Sequence, residues 1–217
     1  MAGHLRWKTA QFAERKWWQH YLKNKPKDEY LRWKKSYWQE IFNLCLPHIQ
    51  FDNKTHVLDA GCGPAGIFML FPELQVTAFD PLLNSYESDL PHFSKQMYPS
   101  VQFIQSSIEN FSNPTPFDVV FCMNAINHVI DIQHCYNQLL EHTKVGGYLI
   151  VTIDAHNFSL FKHIFRLLPG DILHPHQYDV EDYKEFLTTR HAEIKYIQKL
   201  KQEFFFDHYI MIAKKLK

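Results

Sequence analysis

Cysteine is scarce in this sequence: Cys45, Cys62, Cys122 and Cys135 are the only four, and no two stand at CxxC spacing. The histidines are scattered rather than set at zinc-finger intervals. Both facts argue against a disulfide framework and against a structural zinc, and they fit a reducing cytoplasm. Net charge is also lacking, with 23 Lys and Arg against 23 Asp and Glu. No global basic field therefore marks a nucleic-acid binder. No apolar run approaches a membrane span, and MAGHLRWKTAQ lacks the apolar stretch of a secretory signal. There is no internal repeat and no low-complexity tract. What remains reads as a cytoplasmic, soluble chain of 217 residues, one domain with a small appendage.

The charges that are present are unevenly spread. The first forty residues hold Arg6, Lys8, Arg15, Lys16, Lys23, Lys25, Lys27, Arg32, Lys34 and Lys35 against Glu14, Asp28, Glu29 and Glu40. That stretch presents a basic face. Glycine is nearly absent there, and the pattern is helical. Tyr30, Trp33, Tyr37, Trp38, Ile41, Phe42 and Cys45 fall on one greasy helix face. Pro26 suits the start of this helix and Pro47 its end. Ahead of it, Trp7, Phe12, Trp17, Trp18, Tyr21 and Leu22 predict another, less regular helix. Residues 1–50 read as a helical cap and 51–217 as the main domain.

Beyond residue 50, short apolar runs alternate with helical segments. THVLDAG, LQVTAFD, VQFIQSS, FDVVFCMN and GGYLIVTID read as strands. AGIFMLF is expected to begin a helix, Ser85 to Gln96 to be irregular or helical, and IDIQHCYNQLLEHTK to be a helix. DVEDYKEFLTTR is a helix that Asp179 caps, with Glu181 and Asp182 in its first turn. AEIKYIQKL and HYIMIAKKL close the chain as an antiparallel pair. This alternation predicts an α/β fold, a mostly parallel sheet covered on both faces. Ligands in such sheets bind at the carboxyl ends of the strands, at the switch point.

The stretch VLDAGCGPAG is then a strand–turn–helix, the setting a nucleotide-binding turn requires. Gly61, Gly63 and Gly66 formally match the dinucleotide pattern GxGxxG. Asp59 discriminates between ligands. Its carboxylate repels a pyrophosphate and suits a ligand that carries an ammonium or sulfonium group. Asp80, at the end of the next strand, suits the ribose hydroxyls of any nucleoside.

With these residues the chain resembles the class I methyltransferases that use S-adenosylmethionine (SAM), whose first motif runs hydrophobic-(D/E)-x-G-x-G-x-G. VLDAGCG matches through Gly63. Ala65 stands where the third glycine is usual, and Gly66 follows it. QFIQSSIENF, FDVVFCMNAINHVID and LLEHTKVGGYLIV resemble later motifs of the family, in order, over about residues 55 to 155. The resemblance implies a Rossmann-like sheet of seven strands, the last antiparallel, with an N-terminal helical cap. It implies SAM as cofactor and S-adenosyl-L-homocysteine as product, held by Asp59, Gly61, Gly63, Asp80, Ser107, Ile108 and Asn124. Ser107 and Ile108 would flank the adenine.

Methyl transfer needs an aligned, dry site and sometimes a base, but no covalent nucleophile. The base candidates are His128, in the loop the resemblance places at the methyl group, and His174 and His176, in the loop before the capped helix. Some quinone-pathway O-methyltransferases bind a metal through acidic residues around this first histidine. Here those positions are Asn124 and Asn127, so no metal is expected. The Asn-Pro-Pro-Tyr and Asp-Pro-Pro-Tyr signatures of enzymes that methylate amino groups in DNA are absent. The sequence thus points to methylation of a small-molecule acceptor under an aromatic lid, with no membrane span and no nucleic-acid partner. An RNA or protein methyltransferase, a non-catalytic SAM-binding protein and an NAD oxidoreductase are the alternatives.

Overall fold

The structure is a computed structural model that describes residues 2–156, 178–202 and 206–217. Two helices come first. α1 spans Ala2–Leu22 and is regular throughout, more so than its uneven apolar spacing suggests. α2 spans Lys27–Cys45 and begins directly after Pro26, with Asp28 and Glu29 in its first turn where the helix dipole favours acidic groups. Tyr30, Trp38, Ile41, Phe42 and Cys45 are buried. Trp33, placed on the same face by spacing alone, is instead 53% exposed.

The strands are β1 (Val57–Ala60), β2 (Val76–Phe79), β3 (Val101–Ile104), β4 (Phe117–Cys122), β5 (Thr143–His156), β6 (Ala192–Gln202) and β7 (Phe206–Lys215). They form one sheet in the order β3-β2-β1-β4-β5-β7-β6. The pairings from β3 to β5 are parallel, and β7 runs antiparallel to both its neighbours. The expected seven-stranded mixed sheet with an antiparallel last strand is therefore present. Chain order reverses between β1 and β4, which puts a crevice at their carboxyl ends.

Strand side chains alternate between two cores, as a period of two requires. Val119 and Phe121 pack on the side of α2, beside Trp38, Ile41 and Phe42. Val120 and Cys122 pack on the opposite side, against α4 (Ile132–Glu141) and α5 (Val180–Thr188). The N-terminal helices thus share a core with the sheet. A short α3 (Leu83–Asp89) follows β2.

One expected element is different. AGIFMLF makes only a tight 3-10 turn, Ile67–Leu70, and no α-helix. Pro72 disfavours helical geometry at the residue before it, and Phe71 sits at φ −117°, ψ 55°. The N–H of Phe68 is also taken, by the Asp59 carboxylate. A helix N-terminus aimed at the ligand is therefore absent at this turn.

α5 is capped as its sequence predicts. Asp179 accepts from the Asp182 N–H, and the Asp182 side chain accepts from the Asp179 N–H, both at 3.0 Å. Asp179→Ala is expected to cost about 1–2 kcal/mol, read as a lower urea midpoint at unchanged slope. An unshifted midpoint would show that the cap contributes nothing.

Candidate active site

The carboxyl ends of β1 to β4 open into one cavity of about 480 Å³, and α1 and α2 form its other wall. The β1 turn contributes Gly61, Cys62, Gly63, Pro64 and Ala65. Asp80 comes after β2, Ser107, Ile108 and Glu109 after β3, and Met123, Asn124 and His128 after β4. The helical wall contributes Glu14, Trp18, Lys34 and Trp38, with further rings beside them.

Asp59 is buried beneath this floor and does not line the cavity. Its Oδ2 accepts from the Phe68 N–H at 3.0 Å, and the Ile67 N–H supports it as well. Asp59 thus clamps the glycine turn, so its charge reaches a ligand through the turn rather than by contact. Burial pushes Asp59 up to about 7, against the pull of those N–H groups and of Lys34. Asp80 is buried too, but it faces the cavity. One oxygen accepts from the Gly63 N–H at 3.0 Å and the other from the Leu82 N–H at 2.8 Å. Burial, and then the nearby Glu14 carboxylate, push Asp80 up to about 7.

A nucleoside fits this wall. Gly63 has φ +58°, and a Cβ there would meet only the Trp18 ring edge, at 3.8 Å. The backbone is bare where a ligand would lie against it. Each Asp80 oxygen has taken one N–H and keeps a further lone pair, the acceptor set that a pair of hydroxyls needs. The Ser107 hydroxyl lies beside the cavity and accepts from the Asn110 side chain at 3.0 Å, while Ile108 gives an apolar surface.

The loop after β4 is held by two bonds. Asn124, at φ +57°, donates its N–H to Thr152 Oγ1 at 2.8 Å, and that hydroxyl donates back to Asn124 Oδ1 at 2.7 Å. Asparagine is among the residues that best tolerate this left-handed backbone. His128 lines the cavity, whereas Asn127 turns inward. Asn127 donates to the Asp154 carbonyl at 3.2 Å and accepts from the Tyr183 hydroxyl at 3.3 Å. The structure thus brings Gly61, Gly63, Asp80, Ser107, Ile108, Asn124 and His128 to one cavity. His174 and His176 lie outside the described residues. Among the described residues, no three His, Cys, Asp or Glu side chains come together as a metal site.

The aromatic lid expected over the acceptor is this helical wall; its polar groups are the part that motif reasoning missed. Trp38 donates its indole N–H to the Ala65 carbonyl at 2.8 Å, which ties α2 to the glycine turn. Arg15 grips Asp89 on α3 through two bonds of 2.5 and 2.9 Å, and Gln19 adds a third at 2.8 Å. Arg15 holds the Asp89 carboxyl down at about 2. Between these fastenings Glu14 faces the cavity and accepts from the Tyr86 hydroxyl at 3.2 Å. The aromatic spacing of the first helices announces a wall, but not which polar residues it turns toward the sheet.

Comparison with known proteins agrees with this geometry. The family described as a methyltransferase domain matches residues 51–204. The ubiquinone biosynthesis O-methyltransferase of Rickettsia prowazekii (strain Madrid E) is 29% identical over 161 residues, 68% of this chain and 62% of that protein. The chain thus spans less than two thirds of that relative's length. A methyltransferase structure from Bacillus halodurans C-125 superposes with a TM-score of 0.67 at 15% identity, over 84% of this chain and all of that one. A phosphoethanolamine N-methyltransferase from Haemonchus contortus, solved with S-adenosylhomocysteine, gives 0.64 at 14% identity, over 83% of this chain and 53% of that one. These two likenesses are of fold. Taken with the domain match over residues 51–204, they make the chain a member of the class I SAM-dependent methyltransferase family.

Proposed function

We propose that this protein transfers the methyl group of SAM to a hydroxyl oxygen on a small aromatic acceptor. One observation carries the reading. A single cavity has nucleoside-type groups on its sheet wall and indole and phenol rings on its helical wall. SAM supplies an electrophilic methyl group on a sulfonium. On this reading Asp80 holds the ribose hydroxyls, Ser107 and Ile108 border the adenine, Gly63 lets the backbone approach, and Gly61 makes room for Ala125 at the cavity edge. Asp59 keeps the turn in shape. Asn124 and His128 border the methyl side, and residues 1–50 serve as the lid. The choice of oxygen follows the O-methyltransferase relatives, and a flat acceptor suits the ring-lined wall. No described helix is long and apolar enough to cross a membrane, which is compatible with work in the cytoplasm.

Calorimetry with SAM, S-adenosylhomocysteine and NAD tests the cofactor. Micromolar binding of the first two and none of NAD is expected. Methyl transfer to catechol, followed as S-adenosylhomocysteine release, tests the acceptor class. Binding of NAD alone would overturn the cofactor. SAM binding without turnover on any hydroxylated aromatic would overturn the acceptor class.

A further inference from the structure

Lys34 is the only lysine or arginine in the cavity lining among the described residues. It is half-buried on α2, and its Nζ lies over the rings of Trp38, Tyr37 and Trp33 at 4.4, 4.8 and 5.7 Å. These residues stand at one and at three or four positions from it, the helical neighbours of its side chain. Among the described residues it makes no hydrogen bond and no ion pair. The carboxylates around it are already engaged. Glu14 takes the Tyr86 hydroxyl, Asp59 the Phe68 N–H, Asp80 the N–H groups of Gly63 and Leu82, and Glu109 the Ile130 N–H at 2.9 Å. An uncommitted amine thus faces a cavity whose acids are in use.

We propose that Lys34 is the base of the methyl transfer, taking the proton of the acceptor hydroxyl as its oxygen attacks the methyl carbon. The inference rests on the function proposed above. The O–H bond breaks and an N–H bond forms on Nζ. The oxygen's electron pair makes the new O–C bond, and the old C–S pair leaves with sulfur. The ammonium then returns its proton to solvent. Three rings lie against the amine, and burial lowers Lys34 to about 8 even though Asp59 pulls the other way. A base of that strength suits work near neutral pH. The other titratable groups that line the cavity are Glu14 and Tyr21 on α1, Tyr30 on its own helix, Cys62 in the β1 turn, Asp80 after β2, Glu109 after β3 and His128 after β4, and the Tyr37 ring lies under the amine.

The experiment measures catechol methylation from pH 6 to 9.5 in wild type, Lys34→Met, Lys34→Arg, Lys34→Ala and His128→Gln, with SAM affinity by calorimetry. The Lys34 amine is also titrated directly by NMR of lysine labelled at Cε. Expected are a wild-type kcat/KM that rises through pH 8, with the NMR signal moving over the same range. Lys34→Met should lose about 10²-fold or more in kcat while binding SAM within threefold of wild type. Lys34→Arg keeps the charge and should not restore the rate. Added ethylamine should restore part of the rate to Lys34→Ala, in proportion to its free-amine fraction. An active Lys34→Arg overturns the proposal, because charge alone then suffices. So does Lys34→Met with weakened SAM binding and normal kcat, which makes Lys34 a cofactor contact. Loss of the pH step in His128→Gln but not in Lys34→Met transfers the role to His128. A wild type that binds SAM but methylates no hydroxylated aromatic overturns the parent reading and this one together, whereas active wild type with equally active Lys34→Met removes Lys34 alone.

Discussion

Gly66→Ala is expected to lower the melting temperature by roughly 10 °C, while Gly63→Ala leaves most of the stability and loses the cofactor. The two glycines lie three residues apart in one turn but meet different surroundings. A Cβ on Gly66 would stand 2.4 Å from Asp59 Oδ2, 2.6 Å from the Cys62 carbonyl oxygen and 2.9 Å from the Phe68 ring. Two of these neighbours are a clamped carboxylate and backbone, and neither yields without opening the turn. Overpacking of this kind costs about 3 kcal/mol or more, and each kcal/mol is worth about 2–4 °C in a chain of this size. A Cβ on Gly63 meets nothing closer than Trp18. Its cost to folding is the left-handed backbone alone, about 1–2 kcal/mol. Its methyl group would enter the space proposed for SAM and weaken binding about tenfold or more. Thermal unfolding and calorimetry on both variants check this. Equal losses of stability would show that the turn is not clamped as described.

The ligand-free protein is expected to lose stability steadily between about pH 4 and pH 7. The cause is the buried pair Asp59 and Asp80, each pushed up to about 7 by burial. A carboxyl raised in the folded state binds its proton more tightly there than in the unfolded chain. Its contribution is complete below the ordinary aspartate range and is lost as pH rises through the folded value. The total is on the order of a few kcal/mol. Other shifted groups among the described residues act outside this window. Asp89, held down at about 2, loses its contribution only in strong acid. Lys34, lowered to about 8, adds stability only above that pH. The buried thiols, pushed up by burial, begin to subtract only near their ordinary value of 9. Glu14→Gln is expected to make the decline shallower, since the Glu14 charge helps raise Asp80. Melting temperatures at half-unit pH intervals check both statements. A midpoint that rises from about pH 4 to pH 7 would contradict the assignment.

Much of this fold is legible because its elements are specified locally. VLDAGCG, the strand–helix alternation and the Asp179 cap each carry their own signal, and the sheet order follows from standard crossovers. The helix expected after the glycine turn failed for two reasons of unequal visibility. Pro72 was in plain view, but the capture of the Phe68 N–H by Asp59 is a contact across nine residues. The cavity floor could be named from motif positions, since strand ends bring those positions together. Glu14 and Lys34 could not, because helical spacing alone does not say how α1 and α2 dock. Trp33 illustrates the same limit: it keeps the period of the apolar face yet stands at its exposed margin.

The chain has five tryptophans, Trp7, Trp17, Trp18, Trp33 and Trp38, and all five line the cavity from the two N-terminal helices. The sheet domain has none. Light absorbed at the red edge of the ultraviolet band is therefore emitted only from the roof of the site. Tyrosines elsewhere are not excited there, so the spectrum is free of any signal from the scaffold. Emission wavelength and quenching by iodide then become a label-free gauge of how wet the roof is. A titration with cofactor or acceptor is read at the place of binding, with no probe added and no residue changed.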